Sequence, residues 1–137
     1  MSAIRDRRGM TIIEVLFAIV ILSGVMLAMS RFGQAFTRAA RDAANLAVAS
    51  DLATARLQAV RGHGEYATLV STFHGTSETS ATAGANPSMT GHPGYTRLTE
   101  AVRTVNDTAD FVTVTVEVRA DVLKRPLAKT AVIAAFR

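Results

Sequence analysis

A single carboxylate, Glu14, stands inside a run from Met10 to Ser30 that carries no other ionisable side chain. A charge at the centre of a membrane span costs roughly 3 kcal/mol on insertion scales, and less near an end, where the side chain can snorkel toward the headgroups. A carboxylate placed there needs a partner. Cleavage between Gly9 and Met10 would create one, because the new α-amino group, with a reference pKa of about 8, would be a cation only four residues from Glu14. Packed against a second copy, that amine and this carboxylate could neutralise each other in lipid.

Other chemistry-bearing residues lack the spacing that chemistry requires. His63, His74 and His92 sit around a glycine-rich break and a loop without the short spacing of a metal site, so they read as solvated loop histidines. Asp107, Asp110 and Asp121 lack the dense oxygen-ligand run of a calcium loop and read as turn-forming acids. Ser71, Ser77, Ser80 and Ser88 have no fixed His/Asp context, which leaves a serine hydrolase without support. With no cysteine there is no disulfide, zinc–thiolate site or cysteine nucleophile. The expectation is a non-enzymatic chain without metal or cofactor. Arg5, Asp6, Arg7 and Arg8 contribute +2 of the formal net charge of +4. Later cations, Arg97, Arg103, Arg119, Lys124, Arg125, Lys129 and Arg137, alternate with acids rather than clustering, so no nucleic-acid partner is expected.

The elements that position Glu14 come next. At ~1.5 Å per residue, the stretch from Met10 to Ser30 is about as long as a bilayer core of ~30 Å is thick. Arg5, Arg7 and Arg8 ahead of it favour a cytoplasmic N-terminus, a bias weakened by Arg31, Arg38 and Arg41 beyond it. Helical character continues past Ser30, since alanine is abundant and no glycine lies between Gly33 and Gly62. Phe32, Phe36, Ala39, Ala43, Leu46, Ser50, Ala53, Leu57 and Val60 step by fours and threes, which predicts one buried stripe. Arg38, Arg41, Asp42, Asn45, Asp51 and Arg56 fall elsewhere on the helix. One helix is predicted from about Ile12 to Arg61, ended by Gly62 and Gly64.

Residues 66–73 fit either a helical turn or a short strand, and residues 74–94 read as a long Gly/Ser/Thr-rich surface loop. In FVTVTVEVR, residues 111–119, Val112, Val114, Val116 and Val118 alternate with Thr113, Thr115, Glu117 and Arg119 as in a half-buried strand. Residues 95–105 and 127–136 are its predicted antiparallel neighbours, giving a three-stranded meander. Its apolar face must be covered, and the striped half of the helix is the only element long enough to do so. The predicted fold is α+β: a long N-terminal helix, its upper half transmembrane, packed through its lower half on a small antiparallel sheet. The implied divisions are a leader (1–9), an apolar helical half (10–30), an amphipathic half (31–61), the loop region (62–94) and the sheet (95–137).

At Arg7-Arg8-Gly9 followed by Met10-Thr11-Ile12-Ile13-Glu14, the sequence resembles the type IV pilin superfamily, whose class III signal is a basic leader ending in glycine and then an apolar helix with glutamate fifth. This resemblance is specific over residues 5–30 and looser over the helix-plus-sheet remainder. It implies that a prepilin peptidase cuts after Gly9 and methylates Met10. It further implies that Glu14 contacts the amine of a neighbouring pilin or pseudopilin as an inner-membrane assembly platform draws subunits into a filament. Met10 departs from the phenylalanine typical of major pilins. With the missing cysteine pair and the wording TIIEVLFAIVIL, it looks most like a minor pseudopilin of type II secretion or a minor type IV pilin. Competing readings are a single-pass anchor carrying a binding or sensor domain, a twin-arginine signal at Arg7-Arg8, and a secretory signal ending near Ala28-Met29-Ser30. Both signal readings leave Glu14 unexplained.

Overall fold

The computed structural model describes residues 11–81, 87–106 and 109–135. Helix α1 runs Ile12–Arg61, followed by a 3-10 turn at Tyr66–Thr68, helix α2 (Leu69–Phe73), strand β1 (Thr76–Thr79), a 3-10 turn at Pro87–Met89, and strands β2 (Tyr95–Asn106), β3 (Ala109–Ala120) and β4 (Leu127–Ala134). The chain divides into two compact units, Met1–Ala40 and Arg41–Arg137. In the first, the described residues are helical from Ile12 on, and every one is exposed.

The second unit is a four-stranded antiparallel sheet in the order β1-β2-β3-β4, with the last part of α1 packed on one face. The helix-plus-sheet architecture is the one expected. Val112, Val114, Val116 and Val118 are all fully buried, so the alternation in β3 fixes which face of the central strand meets the helix. Ala49, Leu52, Ala53, Leu57 and Val60 cover that face from α1, and Leu69, Phe73, Met89 and Tyr95 close the core around them.

Three features differ from the sequence expectation. The predicted stripe is buried only at Ala53, Leu57 and Val60: Phe32 (73% exposed), Phe36 (68%) and Leu46 (50%) are not core, and Ala43 is exposed. The covered arc instead runs through Ala49, Leu52, Ala53, Arg56, Leu57 and Val60. This arc lies about one residue away from the stripe around the helix, because the sheet selects the contact face and an alanine-rich helix offers several similar ones. Second, Arg56, placed off the predicted stripe, belongs to the core. Third, the region read as a loop contains β1, so the sheet has four strands rather than three. Every residue of β1, Thr-Ser-Glu-Thr, is polar, which erased the apolar alternation by which strands are read.

Residues 66–73 resolve as two short helical turns. Gly75 (φ 71°) and Gly94 (φ 84°) sit in the left-handed region immediately before β1 and β2, where a side chain would be strained. At the end of α1 the Gly62 amide donates to the Gln58 carbonyl at 2.9 Å, and the His63 amide to that of Val60 at 3.2 Å.

Candidate functional site

Of the residues singled out in the sequence, Gly9, Met10, Arg5, Arg7 and Arg8 lie outside the described residues. Glu14 lies within them, in the first turn of α1. The Glu14 amide donates to the Thr11 carbonyl at 3.0 Å and, more weakly, to Thr11 Oγ1 at 3.4 Å. Thr11-x-x-Glu14 thus has the form of a capping box, in which a threonine satisfies an early amide of the helix and a glutamate stands three residues on. A carboxylate there is also favoured by the positive end of the helix dipole. Among the described residues, no ion-pair partner reaches the Glu14 carboxylate, and the side chain is exposed.

After Glu14 the helix is apolar on every side. Leu16, Phe17, Val20, Leu27 and Met29 are all exposed, and this helix is long and apolar enough to cross a membrane. Hydroxyls in and beyond the run turn back onto the helix itself: Ser23 Oγ donates to the Ile19 carbonyl at 2.7 Å and Thr37 Oγ1 to that of Gly33 at 2.9 Å. Satisfied in this way, Ser23 adds no unpaired polar group to the apolar surface of the helix.

A second constellation, missed in the sequence, lies in the folded unit. Glu78 on β1 stands opposite Arg97 on β2 in the strand register. Its carboxylate receives Arg97 Nη2 at 2.5 Å and Nε at 2.9 Å, and Arg56 Nη1 from α1 at 3.1 Å. Arg97, whose side chain is 0% exposed, also donates to the Leu52 carbonyl and Ser88 Oγ, while Arg56 donates to Thr99 Oγ1 and Thr76 Oγ1. Burial pulls the pKa of the Arg56 guanidinium below its usual value, Glu78 opposes that, and Arg97 adds to the lowering. Two guanidiniums share one carboxylate, and no buried side-chain polar atom lacks a partner among the described residues. The arrangement is a clasp that ties β1 and the 87–89 turn to α1. It offers no open position for a ligand. The signal that could have found it is the parity of Tyr95, Arg97, Thr99 and Ala101, all on the buried face of β2.

Asp110 and the three histidines are engaged within the fold. Asp110 accepts Tyr66 Oη at 2.8 Å and Arg103 Nε at 2.9 Å, with the Arg103 guanidinium also over the Tyr66 ring at 5.4 Å. Desolvation first, then the hydrogen bond to Asp110, raises the Tyr66 pKa. Asp107 lies outside the described residues. The histidines are not simply solvated, as expected, but engaged: His63 bonds Thr68 at 2.9 Å and meets Phe73 edge-on, His74 Nδ1 accepts the Ala101 amide at 3.3 Å, and His92 lies edge-on to Tyr95.

Thus the site with unsatisfied chemistry is the N-terminal one. Residues 4–30 match the family model of the prokaryotic N-terminal methylation motif. No curated protein and no solved structure matched the chain. The match spans Gly9, Met10, Glu14 and the apolar run together. The N-terminus of this chain therefore carries the prokaryotic N-terminal methylation motif, the class III signal found at the start of type IV pilins and pseudopilins.

Proposed function

We propose that the protein is a non-enzymatic minor subunit of a type IV pilus or of a type II secretion pseudopilus. In this reading prepilin peptidase cuts after Gly9 and methylates Met10. The subunit then waits in the bacterial inner membrane, N-terminus in the cytoplasm and folded unit in the periplasm, until an assembly platform passes it into a filament of sister pilins. The observation that carries the proposal is Glu14: fifth after Gly9, without an ion-pair partner among the described residues, and at the head of a helix exposed on all sides. An all-round apolar helix can exchange lipid for the same surface on neighbours without meeting water. Met10 and the absence of a cysteine pair support a minor rather than a major subunit.

Because Thr11 and Glu14 also form a cap, the test separates charge from helix start. Glu14→Gln keeps a side chain that can complete the capping box but removes the charge; Glu14→Ala removes both. Both variants are expected to insert in the membrane and begin at Met10 with one added methyl by intact mass, yet to fail to enter filaments. Normal incorporation of Glu14→Gln would sink the proposal and leave a membrane-anchored binding domain that does not polymerise.

A further inference from the structure

Past Glu14 the next carboxylate in the sequence is Asp42, and that one is held by Lys124. The intervening residues carry Arg31, Arg38 and Arg41 and no acid. Elsewhere in the described residues, Arg56, Arg97, Arg103, Arg119, Lys124 and Lys129 each have a carboxylate or hydroxyl partner. Like Arg41, Arg61 and Arg125, the exposed Arg31 and Arg38 have none among the described residues. Seven residues apart on a helix, they fall within roughly 20° of one face. Phe32 and Phe36, four apart and 73% and 68% exposed, make a neighbouring aromatic face.

We propose that residues 31–38 form a collar that seats on anionic phospholipid headgroups where the helix leaves the bilayer. This rests on the reading of Met10 to Ser30 as a membrane span. Arg31 immediately follows that span, and Arg38 lies ~10 Å farther along the axis. Side chains on a helix lean toward its N-terminus, so at this end of the span both guanidiniums and both rings tilt back toward the lipid. Long arginine stems then place cations among phosphates while the phenyl rings enter the acyl boundary. Guanidinium and phosphate match in charge and geometry, and a second acidic partner is not supplied by the stretch itself. Its consequence is a subunit clamped at both leaflets, by its leader arginines before cleavage and by this collar throughout, whose release depends on anionic lipid.

Since the chain has no tryptophan, a Phe32→Trp variant of the full protein carries one indole at the collar. Reconstituted in phosphatidylcholine vesicles, it is titrated with brominated phosphatidylglycerol or, separately, brominated phosphatidylcholine. Stronger quenching by the phosphatidylglycerol is expected, with an enrichment of about fivefold per arginine at low salt. That preference should disappear in Arg31→Gln/Arg38→Gln, persist in Arg31→Lys/Arg38→Lys, and shrink as salt rises. Equal quenching by both lipids, or a preference untouched by the glutamine pair, overturns the collar while leaving the membrane span intact. An indole quenched by neither lipid overturns the collar too, and points to a segment held in water or reserved for an acidic protein. None of these readings requires a filament, so failure here is distinguishable from failure of the subunit role.

Discussion

Glu78 is the residue on which β1 depends. Among the described residues it is the only carboxylate paired with Arg56 and Arg97, and its removal leaves both guanidiniums buried with hydroxyl and carbonyl partners alone. Breaking a buried pair by deleting one partner typically costs 3–5 kcal/mol, because the remaining charge stays desolvated. Glu78→Ala is therefore expected to destabilise the folded unit by about 3 kcal/mol or more. Both tyrosines, Tyr66 and Tyr95, lie in that unit, so urea unfolding of the full chain in detergent followed by tyrosine fluorescence reads it. A loss under about 1 kcal/mol would show that the clasp is solvated and behaves as a surface pair. Only the parity of Arg97 with Tyr95, Thr99 and Ala101 marks any of the three in the sequence, since Arg56, Glu78 and Arg97 are far apart in the chain and each alone looks like a solvent-facing charge.

At the scale of elements, the sheet presents a graded face to α1. Its centre is the valine ladder of β3, flanked on one side by the Arg56–Glu78–Arg97 clasp and on the other by Lys129 of β4, whose Nζ bonds Ser50 Oγ at 2.7 Å and Thr54 Oγ1 at 2.8 Å. Ser50, the one polar residue in the predicted stripe, thus has a partner across the interface. Val116 is 0% exposed and Val132, on edge strand β4, is 62% exposed. Val116→Ala is expected to cost about 2 kcal/mol through lost transfer energy and residual cavity, whereas Val132→Ala should stay within about 0.5 kcal/mol. Equal effects in denaturant titrations would contradict the assigned face of β3. The ladder was legible because β-strand alternation reports burial directly. The helix stripe was less so: Phe32 and Phe36 follow the right period, but periodicity locates a possible contact face without saying which partner covers it.

Across the whole molecule, all core residues lie at Ala49 or beyond, and the described part of the first unit contributes none. A fragment beginning at Arg41 should accordingly fold by itself, stay monomeric in water, and unfold within a few degrees of the full chain in detergent, as read by circular dichroism and tyrosine fluorescence. Collapse or aggregation of this fragment would show that residues 11–40 contribute to the core after all. The two units answer to different solvents, one needing burial against its own sheet and the other finding its apolar surroundings outside the chain.

That difference explains what the sequence determined by itself. The leader-to-Glu14 signal, the membrane-length run and the half-buried valine strand depend on local order: a glycine, a charge at fixed distance from it, and periods of one chain in extended or helical form. In the proposed function a peptidase and a bilayer read the same linear information. Tertiary structure alone decided that Arg56 is core, that a wholly polar tetrapeptide is the fourth strand, and that Phe32 and Phe36 are left uncovered. Each of those outcomes depends on which surfaces meet across tens of residues, where a charge is stable in the interior only because its counter-charge and hydroxyl partners arrive from other elements.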